Sequence, residues 1–182
     1  MKKNLCRYIS LILVLSVMLT VLTGCGKTPY DGKWAYIHDD KTTALTINGN
    51  KAEVDGIKCS VTVNGDELEL TGKDGSRYVV GPSDTEGQVV LYKFTTYEYQ
   101  GDGEPDSIIG IWQSDEKWSF EFTDDGTFRE DGYFPGFYLD NKDEHSVMLV
   151  YNDHFTDTTC KYSIEGRNLI VEYPWPMVQV AK

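Results

Sequence analysis

The stretch CSVTVNGDELEL, residues 59–70, decides the fold class. Apolar residues alternate with polar ones on both sides of Asn64-Gly65, as they do in two strands that each bury one face. Asn-Gly readily adopts the positive φ angles that a two-residue hairpin turn requires. The stretch therefore predicts an antiparallel β-hairpin.

The same alternation recurs along the chain after residue 30, and no segment there has a convincing 3.6-residue apolar period. Turn signals such as NGN, KDG, DDG, EDG and EGR separate the alternating segments. We therefore expect an all-β protein. The predicted strands are TALTI (43–47), CSVTV (59–63), ELEL (67–70), VVLYKF (89–94), WSFEF (118–122), VMLVY (147–151), CKYSI (160–164) and NLIVEY (168–173).

The two halves of the chain resemble each other, which favours a duplication; a chance coincidence of two hairpin-rich halves is the alternative. GKW at 32–34 matches GIW at 110–112, residues 39–56 match 115–132, and CSVTVNGDELEL (59–70) matches CKYSIEGRNLIV (160–171). We expect a β repeat at 31–99, a polar linker at 100–106, and a second repeat at 107–182 with an aromatic insertion at 133–158. Each repeat is a small antiparallel barrel or sandwich. Whether the repeats pack together, and whether they form two domains or one shared barrel, is left open by the sequence.

The N-terminus has the pattern of a secretory signal. Lys2, Lys3 and Arg7 precede an apolar run that is short for a bilayer-spanning helix, and the run ends in LTGC at 22–25. This order resembles the lipobox of bacterial lipoproteins. The resemblance implies a signal peptide at 1–24 that is cleaved after Gly24. It also implies a diacylglycerol, with its palmitate-type chains, on the thiol of Cys25.

A lipidated Cys25 would anchor the protein at the extracytoplasmic face of the cell membrane or envelope, with residues 25–30 as the tether. The alternative is an uncleaved signal anchor in which Cys25 has no role.

A Gly-x-Trp opening, an amphipathic strand and a D-G-T-F turn resemble the lipocalin-like domains of bacterial surface lipoproteins. The resemblance implies that Trp34 and Trp112 are buried plugs of their repeats. It implies no catalytic residue. Each repeat is short for the eight strands of a full lipocalin barrel.

Charge restricts the partners. Removing residues 1–24 leaves 14 basic against 29 acidic residues, a net charge of −15. Such a field repels phosphate backbones, so we expect no nucleic-acid partner.

The candidates for chemistry are few. Cys59 and Cys160 fall on apolar strand faces, which favours buried thiols over a bridge between the repeats. The histidines His38, His145 and His154 lie in polar turns with no metal-ligand spacing. The acidic stretch at 102–106 fails the EF-hand pattern. Ser-x-x-Lys at 114–117 leads into a strand rather than opening a helix. We therefore predict no catalytic residue, no metal and no cofactor.

The stretch GYFPGFYLD, residues 132–140, is the first place to look for binding. Tyr133, Phe134, Phe137 and Tyr138 crowd around Pro-Gly, as aromatic residues do in partner or carbohydrate platforms. The alternative is that they cap a barrel end. The predicted function is a lipid-anchored, non-catalytic module that binds an envelope protein, a glycan or a small apolar ligand. A structural scaffold of the envelope is the alternative, and an enzyme is the weakest hypothesis.

Overall fold

The computed structural model describes residues 27–152 and 156–180. Apart from a 3₁₀ helix at Ile37–Asp39, the regular elements are all strands. They are β1 (Gly32–Tyr36), β2 (Leu45–Asn48), β3 (Lys51–Val54), β4 (Ile57–Asn64), β5 (Glu67–Gly72), β6 (Arg77–Pro82), β7 (Gln88–Tyr99), β8 (Gly110–Gln113), β9 (Ser119–Phe122), β10 (Thr127–Glu130), β11 (Phe134–Asn141), β12 (Ser146–Tyr151), β13 (Thr158–Glu165) and β14 (Asn168–Gln179). The predicted all-β class is confirmed, and each predicted strand segment lies largely or wholly within a strand.

All the strands pair antiparallel and form one closed ring. Consecutive strands are neighbours, and β1 closes the ring by pairing with β14. One additional pairing joins β7 to β14 across the ring, from Asn168 opposite Glu98 to Val178 opposite Gln88. This pairing divides the ring into two circuits of eight strands each. We call the circuit of β1–β7 with β14 barrel 1, and the circuit of β8–β14 with β7 barrel 2.

The two barrels share their longest strands, and each barrel has its own core. In β7, Leu91 belongs to the core of barrel 1, whereas Tyr97 belongs to the core of barrel 2. In β14 the order is reversed, with Val171 in the core of barrel 2 and Met177 in that of barrel 1. Each repeat thus supplies seven strands, and the other repeat supplies the eighth. The two repeats therefore form two barrels that share β7 and β14.

β14 changes neighbours at two prolines. Up to Glu172 one edge of the strand pairs with β13, and from Met177 the same strand pairs with β1. Pro174 and Pro176 lie in the gap between these two pairings, where β7 is still a partner. A residue without an N–H is tolerated where a ladder is interrupted.

The tryptophan of each Gly-x-Trp opening is buried at the outer end of its barrel. Trp34 donates its indole N–H to the carbonyl of Tyr30 at 2.8 Å, and Trp112 donates to the carbonyl of Ile108 at 2.7 Å. Both rings belong to the cores. Their polar atoms are satisfied, as buried indoles require.

Strand order corrects one part of the internal alignment. Counting from the tryptophan strands, β4 and β5 correspond to β11 and β12, and β6 corresponds to β13. Cys59 on β4 and Cys160 on β13 are therefore not equivalent positions. The segment 133–158 contributes strands β11 and β12 to the second repeat. The turn sequences at Asn64-Gly65 and Glu165-Gly166 are similar enough that the alignment pairs two hairpins that are not equivalent in the fold.

The start of the described chain lies against barrel 1. Tyr30 is buried in the core, and the Thr28 hydroxyl donates to Asp31 Oδ1 at 2.7 Å. Residues 28–30, predicted as tether, are therefore packed on the barrel. The proposed signal peptide, Cys25, Asp153 and His154 lie outside the described residues. Among the described residues, no helix has the length and apolarity to cross a membrane.

Candidate functional site

The predicted aromatic residues lie on and beside β11, but on different faces of it. Tyr133 is 83% exposed in the turn before the strand. Phe137 points outward, whereas Tyr138 packs against the core of barrel 2 and donates its hydroxyl to the carbonyl of Thr123 at 2.7 Å. Phe134 shares the inward-facing alternation of Tyr138 but lies at the exposed start of the strand. The four aromatic residues therefore do not form one flat platform.

An exposed apolar surface does exist on the outer side of β11 and β12. Phe137 lies directly opposite Val150, and Leu139 lies directly opposite Met148. Phe137 is 54% exposed, Leu139 66% and Met148 37%. We call these four side chains the apolar face.

Barrel 1 provides an internal control for this surface. By strand order and register, the pairs Phe137–Val150 and Leu139–Met148 correspond to Ser60–Thr71 and Thr62–Glu69 on β4 and β5. The barrel 1 side chains at these four positions are polar and exposed. Because barrel 1 closes with polar residues there, barrel closure does not explain the apolar residues of barrel 2. Contiguous exposed apolar side chains are typical of interaction sites.

Polar and basic residues border the apolar face. Arg129 on β10 lies opposite Pro135, and Lys161 on β13 lies opposite Ser146. The Arg129 guanidinium is 4.0 Å from the Glu121 carboxylate on the exposed surface. An apolar centre with a polar rim is the usual composition of a protein–protein contact.

A polar groove of about 400 Å³ lies beside the other side of β11, at the outer end of barrel 2. One wall is the segment just after the linker, with Ser107 and Ile109, and the other wall is the end of β11 with the turn after it. The lining residues are Ser107, Ile109, Tyr138, Asp140, Asn141, Lys142 and Asp143. The interior of barrel 2, by contrast, has a cavity of only about 10 Å³. That volume is at the lower limit for a single water molecule, so the described part of barrel 2 has no lipocalin-like ligand cavity.

A buried polar cluster lies at the inner end of barrel 2. Glu130 occupies the place that Val54 has in barrel 1, since Glu130 is opposite Phe120 as Val54 is opposite Leu45. Burial raises the pKa of Glu130, and the neighbouring charge of Asp131 raises it further, against a hydrogen bond from Tyr151 that lowers it. The cluster combines the Glu130 carboxylate with the phenols of Tyr151 and Tyr173, which are hydrogen-bonded to each other.

Cys59 and Cys160 are free thiols in separate cores. Burial raises the pKa of Cys160 to about 12, with a further contribution from Glu130. Burial likewise raises the pKa of Cys59. The prediction of buried core cysteines is confirmed, and thiols of high pKa are poor nucleophiles.

The inner end of barrel 1 carries a mixed aromatic and charged cluster. The Lys93 ammonium is 2.7 Å from Asp55 Oδ2 and 4.9 Å from the centre of the Tyr36 ring. The Tyr36 ring has two aromatic neighbours. Its centroid is 5.4 Å from that of Trp175, and the His38 ring stacks on it with centroids 5.5 Å apart. The Lys93 ammonium lies over the rings of Tyr36 and Trp175, so the side chains of this cluster bind one another.

The remaining sequence candidates are placed in turns. Ser114 Oγ accepts a hydrogen bond from the backbone N–H of Trp118 at 3.1 Å, which makes Ser-x-x-Lys a strand-linking turn. His145 also lies in a turn, with a positive φ of 50°. Within residues 27–152 and 156–180, no three His, Cys, Asp or Glu side chains are grouped closely enough to hold a metal ion.

Comparisons with family models, with curated proteins and with solved structures found no match for this chain. The contrast between the two repeats is therefore the most informative comparison. It identifies the apolar face, which lies within the predicted aromatic insertion at 133–158 and includes part of the predicted strand at 147–151. Leu139, Met148 and Val150 were missed because the segment was aligned to no strand of the first repeat.

Proposed function

We propose that this chain is a lipid-anchored, non-catalytic module that binds another protein of the cell envelope through the apolar face of barrel 2. The observation that carries the proposal is the change from four polar to four apolar side chains between equivalent outer surfaces of the two barrels. The anchor at Cys25 is supported by the lipobox order LTGC.

The charge of the chain argues for a partner other than a second copy. The full sequence has a net charge of −12, and the mature chain would be more acidic still. Like charges oppose close association of two copies.

The test places a photo-cross-linking amino acid at Phe137 in the lipidated protein in cells, with the same amino acid at Ser60 as the matched control. We expect a discrete adduct with a second protein from position 137 and none from position 60. Equal adducts at both positions, no adduct at position 137, or an adduct of two copies would each contradict the proposal.

A second experiment replaces the apolar face by the equivalent residues of barrel 1. The four substitutions are Phe137→Ser, Leu139→Thr, Met148→Glu and Val150→Thr. Because the same residues are compatible with barrel 1, we expect a folded protein whose cross-link from a probe at Thr127 is lost. The membrane arm is separate: Cys25→Ala should leave the precursor uncleaved and unlipidated. Normal processing of that variant would contradict the anchor but not the partner surface.

A further inference from the structure

The groove at the outer end of barrel 2 lies where barrel 1 has a hydrogen bond across the corresponding space. In barrel 1 the Tyr30 hydroxyl donates a hydrogen bond to the carbonyl of Asp66. This bond joins the segment before β1 to the turn between β4 and β5. The outer end of barrel 1 is closed on that side.

Ile108 takes the place of Tyr30 in barrel 2. Each residue precedes its tryptophan by four positions and accepts the indole hydrogen bond. The Ile108 side chain is buried in the core, and it has no hydroxyl to reach the turn between β11 and β12. That turn is also longer, with residues 142–145 between the strands where barrel 1 has residues 65–66. The space between linker and turn is the groove.

Both walls of the groove are held by hydrogen bonds. The Arg167 guanidinium donates to the carbonyls of Tyr99 and Gly101 at 2.6 and 3.0 Å, and it also donates to the carbonyl of Gly103. These bonds hold the chain at residues 99–103, and the Trp112 indole donates to the carbonyl of Ile108, between Ser107 and Ile109 on the wall itself. On the opposite wall, the Tyr162 hydroxyl donates to Asp140 Oδ1 at 2.7 Å. A site whose walls are fixed in advance loses little entropy on binding.

The lining combines hydrogen-bond donors with acceptors around a small apolar area. The Asn141 amide and the Ser107 hydroxyl can do both, the Lys142 ammonium donates, and the carboxylates of Asp140 and Asp143 accept. Ile109, which is 42% exposed, and Tyr138 are the apolar and aromatic residues of the lining. The two carboxylates disfavour an anion, and the many polar groups disfavour an apolar ligand. A metal ion is disfavoured because the described residues contain no group of three His, Cys, Asp or Glu side chains that could hold one.

We propose that the groove between the linker and the β11–β12 turn binds a neutral polyhydroxylated ligand, a mono- or disaccharide unit. Sugar hydroxyls donate and accept as the lining does, and their C–H faces fit the carbon surface of Tyr138 and Ile109. The volume of about 400 Å³ falls within the usual range for small-molecule sites. This site is independent of the apolar face and of its protein partner.

The test titrates residues 26–182 with D-glucose, N-acetylglucosamine and maltose, followed by amide chemical shifts. We expect at least one sugar to shift residues 107–109 and 138–143, with a Kd of roughly 1 mM, as suits an open site. Asn141→Ala should weaken that sugar about tenfold or more. Asn64→Ala, at the same place of the corresponding barrel 1 strand, should have no effect.

Ser107→Trp is a second variant, which fills the groove from the linker side and should abolish binding while the shifts of the barrel cores are retained. No shift with any of the three sugars at about 50 mM would overturn the proposal. Equal weakening by Asn141→Ala and Asn64→Ala would overturn the location. Saturable binding of calcium chloride or inorganic phosphate at residues 138–143, in place of the sugars, would overturn the ligand class.

Discussion

The phenol of Tyr151 donates a hydrogen bond to the Glu130 carboxylate inside barrel 2, at positions where barrel 1 has Gly72 and Val54. The pair shows that the two repeats differ inside as well as outside. The interior position that is apolar in barrel 1, at Val54, carries a proton-exchanging carboxylate in barrel 2, at Glu130.

This pair predicts a pH dependence of stability. Burial holds the pKa of Glu130 above its ordinary value of 4.5, so the folded protein favours the protonated carboxyl. The stabilisation from this group is complete below the unfolded pKa and is lost as the pH rises through the folded pKa. Glu130→Gln should therefore be more stable than the wild type near neutral pH, and its advantage should vanish toward pH 4.

Urea unfolding at several pH values, followed by tryptophan fluorescence, measures this effect. Glu53→Gln, on the exposed side of β3 next to Val54, is the control and should leave the profile unchanged. A Glu130→Gln variant that loses stability equally at all pH values would show that the Tyr151 hydrogen bond outweighs the cost of burying the charge.

Met177→Ala should destabilise barrel 1, although Met177 belongs to the second repeat. The side chain is fully buried in the core of barrel 1, so its truncation should cost about 2–5 kcal/mol. Amide exchange should show the loss first in β1 and β2. A loss confined to β8–β13 would contradict the sharing of β14.

Trp34→Phe and Trp112→Phe test the two plugs as a matched pair. Each change leaves a buried backbone carbonyl, of Tyr30 or Ile108, without its indole donor. Such an unsatisfied group costs about 1–3 kcal/mol, and we expect losses of similar size from guanidinium unfolding. A negligible loss for either variant would mean that water replaces the indole at that plug.

Cys59 and Cys160 should not react with thiol reagents in the folded protein. Because burial raises the pKa of Cys160 to about 12 and also raises that of Cys59, neither should react with iodoacetamide at pH 8. In residues 26–182, mass spectrometry should find no label in the native state and two labels after denaturation. Labelling of one cysteine in the native state would show local opening of its core.

The strand content was predictable because alternation and turn residues are local signals. Pairs such as Asn64-Gly65 define hairpins without any knowledge of the rest of the chain. The tryptophan plugs were also predictable, through the Gly-x-Trp openings.

β11 was not predictable, because Pro135-Gly136 is typical of a turn. The structure gives Gly136 another role. It lies in an extended strand, and a Cβ there would approach the carbonyl oxygen of Val150 to 2.2 Å. The close approach of β12 requires a glycine at this position. No local sequence pattern distinguishes this requirement from that of a turn. The apolar face and the groove depend on β11, so both were out of reach of the sequence.

The exchange of β7 and β14 also makes the two barrels depend on each other. Each repeat supplies seven strands, and its last strand completes the barrel of the other repeat. A chain cut in the linker at 100–106 should therefore stay together, because separating the halves would break the pairing that runs from Asn168 opposite Glu98 to Val178 opposite Gln88. The two barrels should unfold as one unit, although each has its own core.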